Sequence, residues 1–325
     1  MSKMIVVTGG AGFIGRNAVE ALNARGHDNI LIVDSLGTDE KWRNLRGLNY
    51  EDILPPDVFL ELLEDGAYRD IVSIVHLGAC SATTERDADF LLRNNYGYTR
   101  TLCEWSLKND ARFIYASSAA TYGEGAQGYS DVDEATPTLR PLNMYGYSKH
   151  MFDLWALEHG LFERIVGLKY FNVFGPYEDH KGDMRSVVSK SYEQIRDNGV
   201  VKLFKSHRPQ YRDGEQMRDF IYVKDAVDVT LHFALQPADA PGGLLNCGTG
   251  IARTWVDLVT AVFTAMGREP HIEFIDMPEH LQGKYQYFTQ SETSKLRAAG
   301  YTKPFHSLED GVREYIVDYY LPREG

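Results

Sequence analysis

Cysteine is scarce in this sequence. Its 325 residues hold three, Cys80, Cys103 and Cys247, far apart and with no CxxC pair. That excludes a disulfide framework and points to a reducing compartment. Long apolar runs are also missing. No stretch approaches 18 apolar residues, so no transmembrane helix is expected. The chain enters Met4-Ile5-Val6-Val7-Thr8-Gly9-Gly10 without a signal-type apolar region, so a cytoplasmic protein is expected. Basic charge is short as well: 34 Lys and Arg stand against 46 Asp and Glu, a net of −12. This argues against general nucleic-acid binding and against an anionic membrane surface. A local basic site for an anionic small molecule stays open. The ten histidines form no HExxH and have no cysteine partners at ligand spacing, so no metal is expected.

What remains is a globular composition, 43% hydrophobic and 25% charged. The length suits two lobes packed together. In the first half, apolar β-branched runs alternate with amphipathic stretches. The runs are Ile5–Val7, Ile30–Val33, Ile71–Leu77, Phe113–Tyr115 and Ile165–Leu168. Such runs suit strands buried on both faces. Helices are expected over 14–25, 86–109 and 143–159. The alternation predicts an α/β fold with a doubly wound parallel sheet. The second half is less regular, with helical patterns near 185–197, 225–235, 254–266 and 307–319. It reads as a smaller α/β domain, and the cleft between the lobes is the expected ligand site.

The sharpest local signal is Thr8-Gly9-Gly10-Ala11-Gly12-Phe13-Ile14-Gly15, between a strand and a helix. Gly9 permits the tight turn, Gly12 lets backbone approach a pyrophosphate, and Gly15 allows close helix packing. The helix N-terminus offers free N–H groups to phosphate. Asp34 ends the second strand, 19 residues after Gly15, placed to accept a hydrogen bond from an adenosine ribose hydroxyl. Lys41 and Arg43 follow and could neutralise a 2′-phosphate. NADP is therefore the expected cofactor, with NAD the alternative. Small residues at Gly78-Ala79-Cys80-Ser81 close a later strand where a dinucleotide would lie, and Asn94 is expected to order the loops behind it.

Downstream, Ser117-Ser118 follows the strand at Phe113–Tyr115, and Tyr145-Gly146-Tyr147-Ser148-Lys149 opens a helix. Tyr145 and Lys149, four apart, share a helix face. A free phenol, with a pKa near 10, is a poor base at neutral pH, and a nearby ammonium favours phenolate. Such a tyrosine can take an alcohol's proton while hydride leaves its carbon. A serine hydroxyl can orient the substrate oxygen.

The glycine loop, Ser117-Ser118-Ala119-Ala120-Thr121-Tyr122-Gly123 and Tyr145-x-x-x-Lys149 resemble the extended short-chain dehydrogenase/reductases. Aligned on the Tyr-Gly that follows, the family's serine falls on Ser118. Other stretches are similar to the ADP-heptose 6-epimerases within that group. They are Gly78–Glu85, Lys169–Pro176, His180-Lys181-Gly182-Asp183-Met184, 283–290 and Leu296–Tyr301. The resemblance implies a Rossmann domain over 1–171, with a return segment near 220–248, and a mainly substrate-binding domain over 172–325. It implies inversion at C6 of an ADP-activated heptose for lipopolysaccharide synthesis, by transient oxidation with bound NADP. It implies Tyr145 and Lys181 as two bases, Ser118 as orienting group, and Lys149 on the nicotinamide ribose, lowering the pKa of Tyr145. Cofactor contacts would extend to Phe13, Ile14, Ser35, Leu77, Val173 and Lys181. Substrate contacts would fall on Ser118, Asn172, Asp183, Lys190, Phe204, Arg218 and Tyr285, with Arg218 on the diphosphate. A homo-oligomer is expected. Two departures stand out: Asp183 replaces an expected small hydroxyl residue, and Ser206–Met217 is long. Rival readings are a 4-epimerase, a 4,6-dehydratase or a non-catalytic NADP-binding regulator. Ala119-Ala120 disfavours the dehydratase, which needs an acidic pair there; intact Ser118, Tyr145 and Lys149 disfavour the regulator.

Overall fold

The computed structural model describes residues 3–278 and 286–323. Its centre is a seven-stranded sheet ordered β10-β6-β5-β4-β1-β2-β3, with every neighbouring pair parallel. The strands are β1 (Met4–Thr8), β2 (Ile30–Val33), β3 (Asp52–Leu54), β4 (Ile71–His76), β5 (Arg112–Ser118), β6 (Val166–Tyr170) and β10 (Gly243–Cys247). β1, β2 and β6 are buried at every residue, because helices cover both faces of a parallel sheet. Full burial of Val7, Ile32, Ile74 and Ile114 stabilises the sheet by about 1.5–3 kcal/mol per side chain.

The order places β1 and β4 side by side. The chain runs outward from β1 to β3, then returns to continue from β4 in the other direction. That reversal opens a crevice beyond the carboxyl ends of β1 and β4, where open α/β sheets bind ligands. The helices are α1 (Phe13–Asn23), α2 (Pro56–Glu64), α3 (Ala88–Leu91), α4 (Tyr98–Lys108), α5 (Met144–Glu158), α6 (Val187–Asn198), α7 (Val223–Ala234) and α8 (Trp255–Ala265). Two smaller sheets follow. β7 (Asn172–Phe174), β9 (Met217–Tyr222) and β11 (Ala252–Thr254) form one; β8 (Val201–Phe204) and β12 (Ile272–Ile275) form the other.

Two expected helices are interrupted. The helix expected over 86–109 is α3, a π-turn at Leu92–Gly97, and α4. The helix expected over 307–319 is Leu308–Glu314 followed by a π-turn at Tyr315–Tyr320. A wide turn adds a residue per turn and swings side chains off the regular face, and such turns gather at functional sites. Apolar periodicity does not report them. β3 and α2 were also not anticipated, since β3 is three residues long and only partly covered.

Arg112, fully buried at the start of β5, explains how β10 is held. Its guanidinium donates to the carbonyls of Arg164 (2.7 Å), Ala240 (2.6 Å) and Pro241 (3.0 Å). Among the described residues, no helix is long and apolar enough to cross a membrane.

Candidate active site

A cavity of about 630 Å³ lies in the crevice. At one end the glycine loop turns from β1 into α1. Gly9 has φ +69°, and a Cβ there would stand 2.8 Å from the Gly78 backbone; one at Gly15 would strike the Gly9 carbonyl. Gly12 is the N-cap of α1 and brings no side-chain cap. Bare backbone, no room for a Cβ, and an uncapped helix N-terminus make a cradle that fits a dinucleotide's pyrophosphate.

Buried polar groups fix this cradle. His76 bridges Thr8 Oγ1 (2.7 Å) and Thr99 Oγ1 (2.8 Å), and the Gly78 N–H donates to Thr8 Oγ1 (3.0 Å). Burial holds His76 down to about 3, so its ring is neutral. Asn95 holds the next loop: it accepts from the Cys80 N–H, donates to the Cys80 carbonyl, and donates to Ser148 Oγ on α5, each at 3.0 Å. The bracing expected of Asn94 thus falls to Asn95, which the π-turn carries inward; Asn94 donates to Asn95 (3.0 Å). Cys80 is half-buried and not among the cavity-wall residues, while Leu77, Gly78, Ala79 and Ser81 are.

Phe13, Ile14, Ser35 and Val173 also lie in the wall. Asp34 accepts from the Ala11 N–H (2.9 Å), the Ser35 N–H (2.8 Å) and Lys41 Nζ (2.5 Å). Lys41 is therefore in the wall, already paired with Asp34. Arg43, the other expected phosphate partner, is instead exposed, pairs with Glu40 and is not in the wall.

α5 delivers the chemical groups. Its N-cap Asn143 accepts from the Gly146 N–H (2.8 Å). A Cβ on Gly146 would stand 2.8 Å from the Ala120 carbonyl, so glycine there lets the helix close on the loop after β5. Tyr145, Lys149 and Asp153 recur every four residues along one face. The Tyr145 and Ser118 side chains both line the cavity. Strand alternation turns Ser117 the other way, and its Oγ donates to Asp153 (2.7 Å). Burial raises the Tyr145 phenol above its usual range, opposed by the neighbouring Ser118 hydroxyl. Lys149 is itself buried and pushed down to about 8, with Asp153 opposing the shift.

Asp153 was not singled out from the sequence. Fully buried, it accepts from Tyr115 Oη and Ser117 Oγ (both 2.7 Å) and stands 3.4 Å from the buried Lys169 ammonium. Lys169 donates to Thr121 Oγ1 (2.9 Å). Removing one partner leaves the other charge buried and unmatched. Asp153→Ala should therefore destabilise the fold by about 3–5 kcal/mol, read as a lower urea midpoint. An unchanged midpoint would mean the pair contributes nothing to stability.

Lys181 reaches the cavity from another element, the 3₁₀ segment Asp179–Met184. Its ammonium lies 5.3 Å from the Phe13 ring centroid. Burial lowers its pKa, and Glu178 opposes that. Asn172 is in the same wall, with His180, Arg185, Ser186, Phe220 and Trp255, which the sequence did not reveal as wall residues. A wall assembled from separate loops has no periodic signature.

Four other expected substrate contacts, Asp183, Lys190, Phe204 and Arg218, are not in the wall. Asp183 is exposed, and its carbonyl accepts from Lys190 Nζ (2.5 Å). Phe204 ends β8, paired with Ile275. Arg218 is buried, donates to the carbonyls of Met217 (2.8 Å) and Gln286, and sits 5.6 Å from the Trp255 ring. Arg218 thus adjoins the wall through Trp255. Tyr285 lies outside the described residues. The long segment packs on Tyr287: the His207 N–H donates to its hydroxyl (3.0 Å) and Arg208 lies over its ring at 4.6 Å.

Residues 5–248 match the sequence model of the NAD dependent epimerase/dehydratase family. The chain belongs to that family. As a member of the NAD dependent epimerase/dehydratase family it uses a nicotinamide cofactor, which the glycine cradle fits. The chain is 56% identical, over 97% of its length and 98% of the relative's, to the ADP-L-glycero-D-manno-heptose-6-epimerase of Nitratidesulfovibrio vulgaris. It is 48% identical to that of Fusobacterium nucleatum, covering 97% and 98%. Its structure is similar to the crystal structure of the Helicobacter pylori ADP-L-glycero-D-manno-heptose-6-epimerase. The TM-score is 0.82 at 27% identity, covering 98% and 97%. Among other family members, UDP-glucose 4-epimerase from Thermotoga maritima aligns at TM-score 0.80 and 26% identity, covering 99% and 100%. The shared fold therefore spans epimerases of different sugars.

Proposed function

We propose that this enzyme converts ADP-D-glycero-D-manno-heptose to ADP-L-glycero-D-manno-heptose for lipopolysaccharide core synthesis, with NADP retained through the cycle. The observation that carries the reading is that Tyr145, with Ser118 beside it in the wall, and Lys181 reach one cavity from unconnected elements. Inversion needs the C6 hydroxyl proton handled in two orientations, and two separately mounted proton carriers meet that need. The near-full-length similarity to ADP-heptose 6-epimerases supports the choice of sugar.

When bound, the nicotinamide supplies the hydride acceptor and donor. The rest is done by this chain. Gly9, Gly12 and Gly15, with the free N–H groups of Phe13 and Ile14, hold the pyrophosphate. Asp34 takes the adenosine ribose, and Lys149 the nicotinamide ribose. For one epimer Tyr145 Oη takes the C6 hydroxyl proton as the C6–H bond breaks, while Ser118 holds the oxygen. For the other epimer Lys181 Nζ exchanges the proton with that oxygen, and the C6–H bond re-forms on the opposite face. Proton and hydride are both returned, so no net oxidation occurs. Residues 1–171 and the return near 220–248 carry the cofactor in this reading, and 172–325 mainly the substrate. Asn172 and Arg218 are the substrate contacts that adjoin the wall. We read the enzyme as a cytoplasmic homo-oligomer.

Lys41 supports NADP over NAD, because its ammonium can move from Asp34 to a 2′-phosphate. A charge-assisted hydrogen bond contributes about 1.5–3 kcal/mol, so Lys41→Ala should weaken NADP by roughly 10- to 100-fold and leave NAD within about threefold. Equal losses for both cofactors, by titration calorimetry, would reject the NADP assignment.

The function itself is tested by turnover. Protein purified without added cofactor is incubated with ADP-D-glycero-D-manno-heptose, and proton NMR follows the C6 configuration. An equilibrium mixture with no free NADPH is the expected result. No conversion, even with added NADP⁺ or NAD⁺, would refute the sugar assignment.

A further inference from the structure

The loop that carries Lys181 is closed on itself and tied to the C-terminal helix by one buried carboxylate. Glu178 is fully buried. Its Oε2 accepts from the Ser186 N–H (2.5 Å), and its Oε1 from Ser186 Oγ (2.5 Å) and Tyr315 Oη (3.2 Å). Its own carbonyl accepts from the Lys181 N–H (2.9 Å). One residue therefore bonds the start of the loop, its end, and the backbone of the lysine between them.

Neighbouring groups set this geometry. Tyr177 takes a left-handed backbone conformation, φ +73°, uncommon for a bulky side chain. Such strain persists only where surroundings over-determine it. Here Arg16 lies 3.7 Å over the Tyr177 ring, and Asn44 donates to the Tyr177 carbonyl (3.3 Å). From the C-terminal side, Tyr319 Oη donates to Asp179 (2.6 Å), Tyr320 Oη donates to Ser189 Oγ (2.7 Å), and the Tyr315 and Tyr320 hydroxyls are 3.0 Å apart. The π-turn at Tyr315–Tyr320 presents these three hydroxyls to one loop.

We propose that Glu178 is a positioning residue for Lys181, its buried carboxylate closing the Glu178–Ser186 loop and joining it to the C-terminal tyrosine cluster. The proposal rests on the reading of Lys181 as the second base. The Glu178 charge also acts on Lys181 and favours the ammonium form. The titratable and charged groups around the pair include Asp179, His180, Asp183 and Arg185 on the loop, Tyr315, Tyr319, Tyr320 and Arg323 from the C-terminal side, and Lys41 and Asp34 beyond His180. None of these but Glu178 is a carboxylate bonded to both ends of the loop.

The test is Glu178→Gln in the enzyme as purified, with Glu178→Asp beside it. Gln keeps the size and removes the charge. Two readouts follow Lys181: the limb of the kcat–pH profile that Lys181→Met removes, and the pH midpoint of Lys181 acylation read by peptide mass spectrometry. In Glu178→Gln both should move to lower pH by about half a unit or more, with kcat down roughly 10-fold and KM within about threefold. Glu178→Asp should restore the midpoint part-way. If Glu178→Gln fails to fold, Tyr315→Phe removes one hydrogen bond from the same carboxylate and should lower kcat about threefold with KM unchanged. A parent-like kcat and unmoved midpoint in Glu178→Gln, or a parent-like kcat in Tyr315→Phe when only that variant folds, would overturn the proposal. Failure of the underlying reading looks different: Lys181→Met would then epimerise at the parent rate.

Discussion

Tyr145→Phe should lower epimerisation by roughly 10²–10⁴-fold while leaving the cofactor bound. The substitution removes one hydroxyl and keeps the ring. The cradle built from Gly9, Gly12, Gly15 and Asp34 does not use that hydroxyl, so cofactor retention is a fair control. The loss is specific because Tyr145 and Ser118 stand on α5 and β5, apart from the phosphate-binding loop. Burial raises the Tyr145 pKa before any ligand arrives. The phenolate therefore needs compensation beyond the Ser118 side chain, and in the proposed mechanism the Lys149 ammonium, held down to about 8, supplies it. As pH rises through that value its charge is lost, so the compensation weakens rather than grows. Turnover measured by NMR of the C6 signal, alongside absorbance of the retained cofactor, checks both halves. Full turnover in Tyr145→Phe would remove the phenol from the chemistry.

Different residues were legible to different degrees. The glycine loop could be read directly, because its physical requirement is local. A positive φ at Gly9 and absent Cβ atoms at Gly12 and Gly15 depend on a few neighbouring residues. Tyr145 and Lys149 were readable for the same reason, as four residues along a helix fix a shared face. The parallel sheet followed from strands that are apolar on both faces. Asp153 was not legible, although it lies one more turn along the same helix. Its role depends on Tyr115, Ser117 and Lys169, brought in by β5 and β6. Asn95 was missed by one residue in favour of Asn94, since only the π-turn decides which of the two faces Cys80.

The second lobe shows the limit most clearly. Lys181 came from a motif resemblance; its residue pattern alone, between Asp179 and Asp183, suits a solvated loop. What surrounds it in the cavity wall is tertiary: the Phe13 ring from α1 and Glu178 held by Ser186 and Tyr315. Trp255 and Arg185 belong to the same class. They enter the cavity wall because α8 and the loop before α6 happen to meet there.

Lys181→Met should abolish net epimerisation by a similar factor, roughly 10²–10⁴-fold, yet leave half of the chemistry intact. Met keeps a long apolar stem against Phe13 and removes the titrating amine. If Tyr145 serves one epimer and Lys181 the other, each variant blocks proton exchange for one substrate only. Mixing each purified epimer with enzyme and following single-turnover reduction of the retained cofactor separates the cases. In Lys181→Met one epimer should still reduce the cofactor at near the parent rate, and the other should not. In Tyr145→Phe the pattern should reverse. This reciprocal failure is stronger evidence than either loss alone, because a misfolded or cofactor-poor variant would fail with both epimers. If both variants lose the same epimer, a single base serves both faces and Lys181 is a binding group.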